Sequence, residues 1–137
     1  MKKVTTIIIM AVLCVLCFTG CGNYVSKYDA VAFVHSDTSQ RGEMSFSEFK
    51  GTYVYKLTRP SENAKLVVGG SVQSGKMTVY VDHDGAKREF MTIDESGKMQ
   101  VNYKTGLKNK TIYVIVQADT KCEEGVLLVK FSQANGK

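Results

Sequence analysis

The sequence predicts an all-β domain built as an antiparallel β-sandwich of about seven or eight short strands. Apolar and polar residues alternate with a period of two in several segments, which is typical of half-buried strands. Turn signals separate these segments at a spacing of about 10 to 12 residues. No segment after residue 21 has a convincing helical period. Even spacing and hairpin-like turns together favour two packed antiparallel sheets.

The alternation is clearest in residues 53–57, 77–81 and 99–103. Residues 112–116 are apolar on both faces, which predicts a central strand with a neighbour on each side. Residues 126–131 are also apolar and close the predicted domain.

Turn chemistry separates the predicted strands. Asp82-His83-Asp84-Gly85 ends in the dipeptide most typical of a two-stranded hairpin. Asp94-Glu95-Ser96-Gly97 predicts a second turn. The pair Gly69-Gly70 lies inside an apolar segment and predicts a bulge or a sharp bend. The segment Glu48 to Gly51 ends a short strand over 44–47 and separates it from the strand over 53–57.

A small closed barrel is the alternative architecture. The five residues Phe49-Lys50-Gly51-Thr52-Tyr53 resemble the first strand of lipocalin-like barrels, which carries a glycine followed by an aromatic residue. That resemblance implies a carrier of a small apolar ligand.

The first residues have the pattern of an export signal. Lys2 and Lys3 precede an apolar run from Val4 to Phe18, which is shorter than the roughly 20 residues that a membrane-spanning helix needs. The stretch Phe18-Thr19-Gly20-Cys21 resembles the bacterial lipoprotein box, with phenylalanine in place of the usual leucine. The resemblance implies cleavage after Gly20 and a diacylglycerol group on the Cys21 thiol.

The resulting organisation has four parts. A lipoprotein signal peptide covers residues 1–20, a lipidated N-terminus and tether 21–42, a β-sandwich 43–132, and a polar tail 133–137. Acyl chains give stable membrane attachment when two are present. The chain is similar to small lipoproteins of Gram-positive type that carry a single β-sandwich. We therefore expect a lipid-anchored protein on the extracytoplasmic face of the cell membrane.

Cysteine placement excludes an internal disulfide from the processed chain. Cys14 and Cys17 lie in the predicted signal peptide, and Cys21 is the predicted lipid site. Only Cys122 remains, so the domain is expected to depend on packing alone. The neighbouring carboxylates of Glu123 and Glu124 should disfavour the Cys122 thiolate, which argues against a nucleophile.

The charge pattern gives no support for nucleic-acid binding. The whole chain carries a formal net charge of +5, with 18 Lys and Arg against 13 Asp and Glu. Removal of Lys2 and Lys3 with the signal leaves the processed chain at about +3, a weak bias without a basic arm in the sequence.

No catalytic, metal or cofactor motif emerges from the sequence. The turn Asp82 to Gly85, with Glu89 downstream, begins like a calcium loop but lacks the later ligands at their spacing. His35 and His83, the only histidines, belong to no zinc pattern. We predict a protein that is not an enzyme and that needs no cofactor or metal.

Five tyrosines are the candidate binding residues. They fall on predicted strands and offer flat rings with polar tips, which suit contact with a partner protein or a cell-envelope polymer. The alternative is that they pack at the domain edge with their hydroxyls reaching water. The sequence thus predicts a non-catalytic binding or structural module, leaves its oligomeric state open, and offers these tyrosines as its surface: Tyr53, Tyr55, Tyr80, Tyr103 and Tyr113.

Overall fold

The computed structural model describes residues 24–133, which form eight strands and no helix. The predicted signal peptide, the lipobox with Cys21, and residues 134–137 of the predicted tail lie outside the described residues. Within 24–133 there is no helix with the length and apolarity needed to cross a membrane. The strands are β1 (Lys27–Val31), β2 (Val34–Asp37), β3 (Arg41–Thr58), β4 (Ala64–Ser74), β5 (Met77–Asp82), β6 (Arg88–Ile93), β7 (Gln100–Lys104) and β8 (Thr111–Gln133).

Two long strands, β3 and β8, organise the fold by pairing antiparallel along most of their length. Their register shifts in the middle, where Phe49 is opposite Cys122 but Gly51 is opposite Ala118. Strand β8 therefore carries extra residues at this point, and such an insertion bends a strand. Gly51 has a φ of 122°, a backbone conformation that side-chain-bearing residues rarely adopt.

The bend divides the molecule into two layers. The second half of β8 pairs with β4, and β4 with β7. The first half of β8 pairs with β5, and β5 with β6. Layer A thus has the order β7-β4-β8-β3-β2, and layer B the order β6-β5-β8-β3, with β1 pairing along β3 at the bend. The predicted antiparallel β-sandwich is confirmed.

The two halves of β3 face each other across the core. A Cβ atom added at Gly42 would overlap the ring of Tyr55, thirteen positions along the same strand. The Thr58 amide donates a hydrogen bond of 2.6 Å to the Ser39 carbonyl, which joins the far end of β3 to the turn before it. The interior is filled by apolar side chains from both layers, among them Phe46, Phe49, Leu57, Leu66, Val68, Val72, Met77, Val79, Ile93, Ile112, Val114, Val116, Leu127 and Val129.

The closed-barrel alternative does not describe this sheet. Among the described strands, β6 pairs only with β5 and β7 only with β4, so the sheet keeps open edges. The segment Phe49 to Tyr53, which resembles a lipocalin strand, contains the bend of β3 instead.

The sequence-based strand boundaries were wrong at the two bends. Residues 44–47 and 53–57 belong to the single strand β3, and residues 112–116 and 126–131 belong to β8. Glycine and charged residues at these points resemble turn signals, yet here they accommodate a bend within a paired strand. The central position of 112–116 is confirmed, because Val114 is opposite Tyr55 on β3 and Val81 on β5.

Within the predicted tether over 21–42, the described residues contain two strands, β1 and β2. Strands β1 and β2 both pair with β3, so these residues extend the sheet. They are held by aromatic packing: the ring of Phe33 lies 4.9 Å from that of Tyr28 and 5.6 Å from that of Tyr53. Ala32, with a φ of 51°, separates the two strands.

The predicted hairpin at Asp82 to Gly85 is confirmed by the pairing of Val81 with Arg88. The predicted bulge at Gly69-Gly70 was wrong, because both residues pair in regular register with β8. Gly70 instead makes room for Ile93, since an added Cβ would lie 2.8 Å from that side chain.

The contact between Gly42 and Tyr55 gives a test of the bend. We expect Gly42→Ala to lower the free energy of unfolding by about 1–3 kcal/mol, because the fully buried Tyr55 ring has no free space to move into. Gly69→Ala is the matched control. Gly69 lies on the outer surface of layer A, where the nearest atom to an added Cβ belongs to the exposed Val101 side chain, at 3.2 Å. It should change the stability by less than about 0.5 kcal/mol. Urea denaturation of both variants measures the difference, and equal effects would contradict the packing.

Candidate binding face

Strand β7 turns its apolar side away from the core. Its register with β4 places Val101 opposite Gly69 on the outer surface of layer A. Gln100 is opposite Gly70, whose position faces the Ile93 side chain in the core. Side chains alternate between the two sides of a strand. Tyr103 therefore projects outward like Val101, and Asn102 projects to the same side as Gln100. The polar side of this edge strand thus lies toward the core side of layer A, with Asn102 still exposed at the sheet edge, and its apolar side faces solvent.

Hydrogen bonds hold β7 in this orientation. The Gln100 side-chain amide donates to Asp94 Oδ1 at 2.6 Å, and the Asn102 amide donates to the Phe90 carbonyl at 3.4 Å. The inward polar side chains therefore have partners on and beside β6. A shift of β7 by one residue would break both bonds and exchange the two sides of the strand.

The outward side chains form a continuous apolar surface across three strands. Met99 just before β7 is 58% exposed, Val101 and Tyr103 on β7 are 60% and 62% exposed, and Val126 on β8 is 40% exposed. Strand pairing brings the exposed side chains of β7 and β8 together, because Gly69 of β4 is opposite Val101 on one side and Leu128 on the other. We call this surface the apolar face; it comprises Val67, Met99, Val101, Tyr103, Val126 and Leu128.

Small residues shape the apolar face. Because Gly69 has no side chain, the side chains of β7 project above the neighbouring surface of β4, and a Val101 methyl group lies close over the glycine. On the other side, a cleft of about 290 Å³ lies between Val34 and Val126, over Ser45. The surface therefore offers a raised apolar ridge beside a shallow groove.

Basic side chains border this surface. The Lys65 ammonium lies 4.5 Å above the centroid of the Tyr103 ring, an attractive cation–π geometry. Lys130 is opposite Val67 on the same outer surface. Arg41 is paired with Glu43 at 3.4 Å, an exposed ion pair of small energetic weight.

The five tyrosines predicted as a binding surface do not share one exposed surface. Tyr53 and Tyr55 are only 5% and 2% exposed and belong to the core. Tyr80 and Tyr113 lie on the outer side of layer B, where Tyr80 carries Lys87 above its ring at 4.4 Å. Tyr103 alone among the five belongs to the apolar face.

Sequence reasoning missed the other members of this surface. Met99, Val101 and Tyr103 alternate with polar residues, which is the available signal, but an apolar strand side is ordinarily assigned to the core. Only the pairing of β7 with β4 decides which side faces out. Val126 and Leu128 likewise looked like part of a wholly apolar strand.

A second cluster brings a histidine, a carboxylate and a hydroxyl together. The Tyr53 hydroxyl donates to Asp37 Oδ2 at 2.6 Å and lies 3.0 Å from His35 Nδ1. Burial, and then the hydrogen bond to Asp37, raise the pKa of Tyr53 well above its ordinary value. Tyr53 therefore remains a neutral donor that ties β2 to β3, and its hydroxyl is not activated as a nucleophile.

The turn considered as a metal loop uses its carboxylates internally. Asp82 Oδ1 accepts the Gly85 amide at 2.7 Å, and Asp84 Oδ2 binds Arg88 at 2.7 Å. The His83 ring nitrogen Nδ1 accepts the Lys108 amide at 3.2 Å. Among the residues that the structure describes, no group of three or more His, Cys, Asp or Glu side chains is placed to hold a metal ion.

Cys122 is fully buried at the bend of β8. Its thiol donates to the Lys76 carbonyl at 3.2 Å. Burial raises the pKa of this thiol above its ordinary value, against a smaller lowering from that hydrogen bond. A buried neutral thiol of this kind has a packing role.

Comparison with known proteins gives no family for the chain. No protein-family model and no curated protein matches it. Solved structures match at low identity. A family 61 carbohydrate-binding module in complex with β-1,4-galactotriose is 10% identical, with a TM-score of 0.44 over 79% of this chain and 81% of that chain. A family 29 carbohydrate-binding module is 13% identical, with a TM-score of 0.41 over 80% and 82%. Protein NMB1881 from Neisseria meningitidis is 19% identical, with a TM-score of 0.36 over 76% and 87%.

The two buried tyrosines allow a matched test of the core. The Tyr55 hydroxyl is buried without a hydrogen-bond partner, whereas the Tyr53 hydroxyl donates to Asp37. We expect Tyr53→Phe to lower the free energy of unfolding by about 1–2 kcal/mol and Tyr55→Phe to leave it unchanged or raise it by up to about 1 kcal/mol. Chemical denaturation at neutral pH measures both. A larger loss for Tyr55→Phe than for Tyr53→Phe would contradict this assignment.

Proposed function

We propose that the protein is a non-catalytic binding module, anchored to the extracytoplasmic side of the cell membrane through lipidated Cys21, that docks a partner protein on its apolar face. The outward orientation of the apolar side of β7 is the observation that carries the binding role. The anchor rests on the resemblance of residues 18–21 to the lipoprotein box.

Several properties of β7 support a binding role for this surface. Val101 and Tyr103 on β7, and Met99 just before it, are each more than half exposed, although the polar side of the strand lies toward the core. Exposed apolar surface of this kind costs solubility, and contiguous patches mark interaction sites. The hydrogen bonds of Gln100 and Asn102 fix the strand, so the surface is formed before a partner arrives.

The chemistry of the apolar face favours a protein partner over a polysaccharide. Aliphatic side chains predominate on it, and Tyr103 is its single aromatic residue. Sugars are recognised by stacking on flat rings, and one side of the Tyr103 ring is already covered by Lys65. An apolar centre with basic residues at its border suits a protein surface with apolar and acidic side chains.

Two candidate reactive groups within the described residues 24–133 are not activated, and this supports a non-catalytic role. Where a histidine, a carboxylate and a hydroxyl meet, the Tyr53 hydroxyl is held neutral by burial and by Asp37. The Cys122 thiol is likewise buried with a raised pKa. Both groups therefore stabilise the fold rather than react.

Site-specific crosslinking tests the binding face. A photoreactive residue replacing Val101 should give a discrete crosslinked protein in native envelope, because this side chain is central to the apolar face. The matched control replaces Val31, which is 53% exposed but lies on β1.

We also expect Val101→Asp to abolish binding to the purified partner, since a charge would be buried at the interface. Equal crosslinking from Val31, or capture of polysaccharide alone, would contradict the proposal.

The anchor is tested by the mass and partitioning of the native protein. We expect a mature chain that starts at a diacylated Cys21 and partitions into the detergent phase. The processed chain carrying Cys21→Ser, which lacks the apolar signal segment, should partition into the aqueous phase, because the attachment point for both acyl chains is lost. Retention of Met1 in the native protein, or unchanged partitioning of Cys21→Ser, would exclude the lipid anchor.

A further inference from the structure

One end of the sandwich carries most of the basic loop residues. The loops after β3, β5 and β7 meet there, because the Arg59 amide donates to the Lys110 carbonyl at 2.7 Å and the Asn109 amide donates to the His83 carbonyl at 2.8 Å. We call this surface the basic end; it comprises Arg59, Lys87, Arg88, Lys104, Lys108 and Lys110.

The basic end has fewer carboxylates than cations, and some of these carboxylates already bind groups of the protein itself. Asp82 is 2% exposed and accepts hydrogen bonds from its own turn, and Asp84 is bound to Arg88. Glu62 is the remaining acidic residue of these loops, and Glu89 follows Arg88 at the start of β6. The opposite end, at the bend, has the reverse balance. It carries Glu48, Asp94, Glu95, Asp119, Glu123 and Glu124 against Lys50, Lys76, Lys98 and Lys121. The sandwich is therefore electrically polarised along its length.

The positive potential of the basic end acts on a buried histidine. Burial is the main cause that lowers the pKa of His83 below its ordinary value. Asp84 opposes this shift, while Lys104, Arg88 and Lys108 lower the pKa further. Arg88 and Lys104 line the same cleft as His83, and the Lys108 amide donates to the His83 ring at 3.2 Å. This cleft of about 230 Å³ lies between β6 and β7.

The N-terminal segment enters the domain at this same end. The Tyr24 hydroxyl donates to Asp82 Oδ2 at 2.7 Å, and the Tyr24 ring lies 5.3 Å from the ring of Tyr113. The Ser26 hydroxyl accepts the Val54 amide at 2.9 Å. The start of the described chain is thus fixed beside the turn that contains Asp82.

The distance from Tyr24 to the proposed lipid site is short. Two residues separate Cys21 from Tyr24. Three Cα–Cα steps of about 3.8 Å limit the separation to about 11 Å. An acyl group on Cys21 therefore holds Tyr24, and the Asp82 turn to which Tyr24 is hydrogen-bonded, near the bilayer surface.

We propose that the basic end is a membrane-docking surface that binds anionic phospholipid headgroups. This inference rests on the proposed lipid anchor for its geometry and on the clustered cations for its chemistry. Basic residues next to a bilayer gain attraction from anionic lipids, which falls off within a Debye length. The strands then stand away from the bilayer, and the apolar face remains open at the side of the molecule.

Vesicle binding of an unacylated protein tests this surface without help from the lipid. The processed chain carrying Cys21→Ser is sedimented with phosphatidylcholine vesicles that contain phosphatidylglycerol, and with pure phosphatidylcholine vesicles. We expect binding to the anionic vesicles only, with a loss at high salt. Replacing both Lys108 and Lys110 by Gln should lower the partition coefficient about tenfold or more, since each cation contributes roughly fivefold. Both side chains are exposed.

The control removes the same charge from the other end. Lys76 and Lys98 lie at the bend, and both side chains are exposed. Replacing both by Gln should lower the partition coefficient less than twofold. Circular dichroism checks that each variant retains its β structure. Equal losses from the two pairs would overturn the proposal, as would binding to soluble anionic polysaccharide without binding to anionic vesicles.

Failure of this surface is separable from failure of the anchor. The vesicle assay uses a protein without acyl chains, so its outcome does not depend on lipidation. The mass of the native wild-type protein reports lipidation and does not depend on the basic residues. A diacylated protein whose Cys21→Ser form ignores anionic vesicles would overturn the docking surface alone.

Discussion

The bend shared by β3 and β8 is the constraint on which the rest of the structure depends. At this point Gly51 adopts a φ of 122°, and β8 carries residues that have no direct counterpart on β3. Each long strand thereby contributes one half to each layer. Strands β4 and β7 extend one half, while β5 and β6 extend the other. The bend brings the two halves of β3 face to face. Gly42, which has no side chain, then lets the Tyr55 ring pack directly against the backbone of the opposite half.

The sequence allowed the class of the fold to be predicted, because alternation and turn residues report local structure. The hairpin at Asp82 to Gly85 and the central strand at 112–116 were predicted for this reason. The continuity of β3 and β8 was not, since a bend within a paired strand and a turn between two strands use the same glycine and polar residues. Pairing with a distant strand distinguishes them, and that information is not local.

The candidate binding surface shows the same limit more sharply. Met99, Val101 and Tyr103 were recognised as one side of a strand, but the side that faces solvent follows from the pairing of Val101 with Gly69. Tyr53 and Tyr55 illustrate the converse, because tyrosine suits both a surface and a core position. The anchor signal, residues 18–21, lies outside the described residues and stays a prediction. Under the proposed function, the molecule would use perpendicular surfaces for the membrane and for its partner.

The contact between Gly42 and Tyr55 tests the central claim most directly, because an unbent β3 would hold these residues far apart. Nuclear magnetic resonance should detect a nuclear Overhauser effect between the Gly42 α-protons and the Tyr55 ring protons. The α-proton resonances should also be shifted upfield by the ring current. Absence of this cross-peak, with Gly42 α-protons at ordinary strand shifts, would contradict the folded-back strand and the two-layer arrangement built on it.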